Sequence, residues 1–260
     1  MAAPKQEKPI IVALTLDFET GGLSCQTDAC TQIAVHATRL DTFERIGTFV
    51  RYIKHYEKKE IKGVSTGKKK KVLKTKYEVE EKEMMGYGER AFEVSGLSME
   101  ILEEKGEPLE TVAADLIQFI TDVCPKVGKS NKPFIIGQNI PFDEGFLCQM
   151  MEYAGLMKEF SKVVRGHEDF YGNWHPDLVD TIPLAQLALC NRDDIVSYKL
   201  ELICEKLGIE LDDAHDADAD VSATTNVVAV LTQRMRNASG ESGEALAVSK
   251  TEKTRKHFKI

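Results

Sequence analysis

The order in which hydrophobic periodicity changes along the chain limits its fold more than any other feature. Residues Ile10 to Leu16 form an apolar run rich in β-branched side chains, and alternating patterns follow at Ile33 to Leu40 and Ile46 to Ile53, with Asp41-Thr42 between them. Alternation broken by a turn predicts a hairpin, so three antiparallel strands open the chain. The period then lengthens. Ser98 is placed to cap a short helix that Gly106 stops, and Pro108 opens a second in which Leu109, Val112, Ala113, Leu116 and Ile120 share one face. Phe134 to Ile136 reads as a short buried strand, followed by a helix from about Pro141 to Ala154, a strand at Leu178-Val179 and a helix after Asp180. Further helices are expected from about Ser197 to Leu207 and from the Asp-rich run at 216–220 to about Arg236. Strands first, then strands alternating with helices, imply an α/β fold in which a mixed sheet is covered by helices. A chain of 260 residues that is 42% hydrophobic is long enough for one such domain with appendages.

Two segments stand outside this plan. Between Lys54 and Lys82 lie eleven lysines, including the run Lys68 to Lys71 beside Ser65-Thr66-Gly67. A charge run of this kind is a solvated loop or extended hairpin, or else a local patch for a polyanion. From Asn237 onward the composition turns to Ser, Gly, Glu and Lys, and a disordered tail is expected. The domain is therefore read as 8–236, with a Lys-rich insertion at about 54–90 and a tail at 237–260.

Charge and cysteine usage narrow the setting. Acidic residues outnumber basic ones 42 to 34, a formal charge of −8, so the surface as a whole repels a polyanion and any nucleic-acid contact must be local. Cys25, Cys30, Cys124, Cys148, Cys190 and Cys204 form no CxxC pair and have no His partner at zinc-site spacing, which suits free thiols in a reducing cytoplasm. The first residues are not followed by an apolar h-region, and no apolar run reaches the ~18 residues a membrane span needs.

Three acidic sites carry the chemistry. In Leu16-Asp17-Phe18-Glu19-Thr20-Gly21-Gly22, Asp17 and Glu19 sit two apart at a strand end, so both carboxylates point to one sheet face and Phe18 to the other. Their repulsion is costly unless a divalent ion neutralises it, and oxygen-only ligands favour Mg²⁺ or Mn²⁺ over zinc. The second site, Gln138 to Asp143, follows the Phe134 strand directly, where α/β sheets present ligand-binding residues. Its structural reading is a helix start: Asn139 as N-cap, Pro141 in the first turn, Asp143 offsetting the helix dipole. The third, Ala214-His215-Asp216-Ala217-Asp218-Ala219-Asp220, opens the last helix. Five helical residues turn through roughly 500°, so His215 and Asp220 share a site only if His215 precedes the helix. A calcium-binding loop beginning at Asp216 would need Gly at its sixth position and Glu at its twelfth, where Val221 and Val227 stand.

The combination and order of these sites, D-x-E at the first strand end, N-x-x-x-D at a middle helix and H-x-A-x-x-D at the last helix, resembles the DEDDh branch of the DnaQ-like 3′→5′ exonucleases. That family includes the proofreading subunit of bacterial replicative DNA polymerase, ribonuclease T and oligoribonuclease. Phe92 to Met99 looks like the loop entering its second-site helices, Asp180-Thr181 resembles its common Asp-Thr, and Lys199 to Gly208 resembles the helix before its third site. Gln138, where the family commonly has His, and Asp216, where a basic or neutral residue is usual, depart from the pattern.

The resemblance implies a ribonuclease H-like mixed five-stranded sheet flanked by helices. It also implies two Mg²⁺ or Mn²⁺ ions held by Asp17, Glu19, Asp143 and Asp220, with His215 as general base. The expected reaction is hydrolysis of terminal phosphodiester bonds in DNA or RNA to nucleoside 5′-monophosphates. Leu23 either wedges against the terminal base or anchors its turn, and Phe18, Thr20 and Asn139 are further candidate substrate contacts. His167 and His175, near Gly166, Gly172 and Pro176, read as ordinary loop histidines. A nucleic acid with a free 3′ end is the expected partner, and a DNA polymerase or a second copy of the chain is a candidate protein partner. Two rivals remain: a catalytically dead nucleic-acid-binding module on the same fold, whose mark would be loss of one of the five residues, all of which are present, and a nuclease or transferase of the wider ribonuclease H-like class acting inside chains, which lacks the third-site His.

Overall fold

The computed structural model describes residues 10–59, 83–124, 132–211 and 216–238. Alternation in the first fifty residues produces β1 (Val12–Thr20), β2 (Cys30–Arg39) and β3 (Arg45–Tyr52), each antiparallel to the next. Two short strands, β4 (Phe134–Gly137) and β7 (Leu178–Asp180), add on the other side of β1, parallel to it and to each other. The five-stranded order is β3-β2-β1-β4-β7, the mixed sheet expected. A second, two-stranded ribbon pairs β5 (Gly166–Glu168) with β6 (Trp174–Pro176).

Eight helices among the described residues cover the sheet: α1 (Glu89–Ser95), α2 (Met99–Lys105), α3 (Leu109–Val123), α4 (Pro141–Ala154), α5 (Met157–Val163), α6 (Thr181–Ala188), α7 (Leu200–Leu207) and α8 (Ala217–Ala238). The Ser98 hydroxyl accepts from Ile101 N at 3.3 Å and Gly106 ends α2, while α3 buries Leu109, Val112, Ala113, Leu116 and Ile120, the predicted stripe. With Phe146, Leu147 and Met150 of α4 these meet Leu14, Leu16 and Phe18 of β1 and Ile33 and Val35 of β2 in the main core.

The opposite face of the same strands is different in kind. Register pairs Thr15 with His36, Asp17 with Ala34 and Glu19 with Gln32, so a polar row lines this side. Helix α8 lies across it, with Ala217 and Val221 packed on Ala34, and Val228 farther along against Ala13 and Ile136. One face of β1 therefore holds the core and the other holds the acids, as a period of two requires.

Four local expectations change. Phe92 to Ser95 are the last turn of α1, ended by Gly96 at φ 67°, rather than loop. Lys199, extended, stands at the N-cap position of α7 with no side-chain cap bond, so that helix starts at Leu200 and not near Ser197. Asn139 does not cap α4; it takes the left-handed conformation at φ 56°, which a short polar side chain tolerates, and Ile140 stands at the cap position. His167 and His175 face each other across the β5–β6 ladder instead of lying in irregular loop. The lysine run Lys68 to Lys71 lies outside the described residues, as do 239–260. At the edges of the insertion Lys58 N donates to the Glu83 carbonyl at 2.8 Å and Met85 N to that of Tyr56 at 3.1 Å, pairing its two ends antiparallel.

Candidate active site

β1 carries Asp17 and Glu19 to the end of the sheet where β4 and β7 also finish, and the first turn of α8 brings Asp220 over the same face. Oxygens of Asp17, Glu19 and Asp220 lie within 4.8 Å of one another. Asp143, from the first turn of α4, is only 2% exposed and stands beside them, its Oδ1 accepting from Phe18 N at 3.0 Å. That bond explains more than an offset helix dipole would: it ties α4 to the strand that bears the other acids. The sharp turn from β4 into α4 depends on Asn139, whose N–H donates to Asp180 Oδ1 at 3.1 Å while Asp180 also caps α6 through Ile182 N at 2.9 Å.

Crowded carboxylates out of water resist ionisation. Burial, then the charges of Asp143, Asp220, Glu19 and Asp216, push Asp17 well above the ordinary carboxylate range. Burial and the charges of Asp220, Asp216 and Asp143 raise Glu19 to about 8. Asp143 rises to about 7, chiefly by burial, against the opposing hydrogen bond from Phe18. These are hard oxygen donors whose charge is uncompensated by any basic side chain paired to Asp17 or Glu19 among the described residues, the environment that a divalent cation satisfies.

The loop after Glu19 is fastened rather than loose. Gln149 of α4, itself buried, donates to the carbonyls of Cys25 and of Asp28, the latter at 2.9 Å, and Tyr56 OH donates to Gln149 Oε1 at 2.6 Å. Gly21 is required by crowding, since a Cβ there would meet the Gly86 carbonyl at 2.3 Å, whereas one on Gly22 would meet only the Asp28 side chain. Leu23 stands on this loop 88% exposed, so it anchors nothing beneath it. Thr20 Oγ1 donates to the Gly22 carbonyl at 2.7 Å and shapes the turn. The Phe18 ring is buried in the main core and serves packing rather than an open surface. His215 lies outside the described residues.

Sequence reasoning passed over Gln32 and His36. His36 Nε2 lies 2.7 Å from Asp218 Oδ1, and Gln32 Nε2 donates to Asp216 Oδ2 at 3.5 Å. The available signal was a polar residue at every second or fourth position of an otherwise apolar strand, opposite the Asp-x-Glu pair.

No family model and no curated protein matches the chain. Solved structures do. Escherichia coli exonuclease I in complex with a dT13 oligonucleotide superimposes with a TM-score of 0.59 at 22% identity, over 88% of this chain and 42% of that one. A moderately thermophilic exonuclease I from Methylocaldum szegediense gives 0.57 at 21%, over 86% and 41%. A product-bound exonuclease I gives 0.59 at 21%, over 88% and 45%. The chain thus shares the α/β fold of these ribonuclease H-like exonucleases and spans less than half the length of each.

Proposed function

We propose that this chain is a metal-dependent 3′→5′ exonuclease of the DEDDh type, its catalytic unit spanning 8–236. The single observation that carries the reading is the convergence of Asp17, Glu19 and Asp220 within 4.8 Å, from two elements far apart in sequence, with Asp143 alongside. A cluster so costly in charge is understood when its occupant is a cation. The similarity of fold to the exonuclease I structures supports the same class of reaction.

In this reading two divalent ions, Mg²⁺ or Mn²⁺, would be held by Asp17, Glu19, Asp143 and Asp220. Bound there, they would supply Lewis-acid activation of water and neutralisation of charge on the leaving oxygen. His215, joined in the chain to Asp216, whose charge acts on both Asp17 and Glu19, takes the proton of the attacking water as general base. Water oxygen bonds to phosphorus, the bond from phosphorus to the 3′ oxygen breaks, that oxygen gains a proton, and a nucleoside 5′-monophosphate leaves. Exposed Leu23 meets the terminal base, and Thr20 and Asn139 shape the turns that border it. The six free thiols fit work in the reducing cytoplasm.

Matched single strands of DNA and RNA, linear with a 5′ label and circular with an internal label, incubated with Mn²⁺, test this. The expected result is stepwise shortening from the 3′ end with mononucleotide release and intact circles. Mixed oligonucleotides or cut circles would instead identify a nuclease acting inside chains, and binding without products a dead module.

A further inference from the structure

We propose that Gln32 and His36 of β2 are positioning residues for this site: they clamp the first turn of α8 to the sheet and thereby hold Asp220 against Asp17 and Glu19. The inference rests on the metal-site reading above and adds residues that the acidic pattern does not contain.

Four observations carry it. His36 is 1% exposed and Gln32 2%, both on the strand face that α8 covers, so each polar side chain must find a partner there. The partners are on one helical turn: His36 Nε2 sits 2.7 Å from Asp218 Oδ1, and Gln32 Nε2 donates to Asp216 Oδ2 at 3.5 Å. Between these two bonds Ala34 meets Ala217 and Val221, small side chains that let the helix lie close to the strand. Finally, Asp216 is coupled directly to the metal-facing residue. Its carbonyl accepts from Asp220 N at 3.0 Å, and its Oδ1 caps the helix by accepting from Asp218 N at 3.1 Å and Ala219 N at 3.3 Å.

The anchor is stiff where the load falls. His36 is paired with Thr15 of β1 and Thr48 of β3, and Gln32 with Glu19 and Tyr52, so neither can shift without moving the sheet. Asp220, in the first turn of α8, faces two carboxylates of its own sign. Repulsion drives that turn away from β1. Two bonds four residues apart on the strand and two apart on the helix oppose this by fixing both the height and the rotation of α8. The run Asp216, Asp218, Asp220 then divides its labour: two carboxylates fasten the helix and the third faces the cation. The departure of Asp216 from the family pattern acquires a reason.

The test compares wild type with His36→Leu, Asp218→Ala and the double variant in the full chain. Mn²⁺ uptake is measured by titration calorimetry, beside melting in chelator and the separate kcat and KM for a single-stranded oligonucleotide. Groups behind metal ligands are worth about tenfold to a hundredfold in metal affinity, so each single variant should lose about tenfold or more. The double variant should lose no more than His36→Leu, because the two residues act as one contact. KM for the oligonucleotide at saturating Mn²⁺ should stay near that of wild type. A folded His36→Leu protein that takes up Mn²⁺ as tightly as wild type, with only its melting lowered, overturns the clamp and leaves the pair as ordinary packing. Should His36→Leu fail to fold, Asp218→Ala decides alone, since Asp218 is 44% exposed and its loss leaves no cavity. Wild type that takes up no Mn²⁺ overturns the metal site and the clamp together, which distinguishes the two failures.

Discussion

The two faces of β1 and β2 are built from alternate residues of the same strands, yet they obey opposite rules. On one, Leu14, Leu16, Phe18, Ile33 and Val35 meet α3 and α4, and burial stabilises. On the other, Asp17, Glu19, Gln32 and His36 meet α8, and burial costs free energy unless each group is answered. Gln32 and His36 are answered by Asp216 and Asp218, and Asp143 by the Phe18 amide; Asp17 and Glu19 find no donor of that kind among the described residues. The difference teaches which buried polar groups the fold itself satisfies; on the reading proposed above, Asp17 and Glu19 are the carboxylates that a cation would answer.

The largest expected effect separates the faces by activity. Asp17→Ala should abolish hydrolysis while leaving melting in chelator unchanged or higher, because a removed carboxylate also relieves repulsion. A variant cleaving at the wild-type rate removes Asp17 from the site. His215→Ala should keep metal and substrate binding and lose on the order of 10²–10⁴ in kcat, together with the limb of the pH profile that rises as the imidazole loses its proton. A rate near wild type with a raised metal requirement would make His215 a ligand or prop instead.

On the apolar face the signature reverses. Leu16→Ala should lower stability by about 2–5 kcal/mol in denaturant titration, with the folded fraction still hydrolysing. Loss of activity without loss of stability there would blur the two faces. The smallest effect is expected from deleting Lys68 to Lys71: weaker oligonucleotide binding and a shallower dependence on salt, since each neutralised phosphate adds to that slope. An unchanged slope would show the run to be a solvated surface.

What was legible in the sequence follows from length and periodicity. Helix α3 repeats its apolar stripe over four turns and β2 and β3 alternate long enough to declare their period, while β1 showed only as an apolar run and extends to Thr20, four residues beyond Leu16. Helix α5 has seven residues and buries Phe160 alone, while β5 and β6 have three each and depend on cross-strand contacts and on Trp174 packing against Phe160. Such elements carry no period to read. Asp17 and Glu19 were visible because two acids ending an apolar strand violate its pattern. The Asp143 bond to Phe18 and the His36 bond to Asp218 join residues 125 and 182 apart, and no local pattern encodes a contact at that distance.

The most direct measurement of the central claim is melting temperature between pH 5 and pH 8, with chelator and with Mn²⁺, for wild type and for Glu19→Gln. Folded Glu19 is raised to about 8 and Asp143 to about 7, above their unfolded values, so between pH 5 and 8 the folded protein holds more protons than the unfolded chain. Stability therefore falls as pH rises through this window. The account predicts that metal-free wild type loses melting temperature from pH 5 to pH 8 more steeply than Glu19→Gln, and that Mn²⁺ restores it at pH 8 in wild type far more than in the variant. Parallel pH profiles for the two proteins, or a wild type that melts at pH 8 alike with and without Mn²⁺, would contradict it.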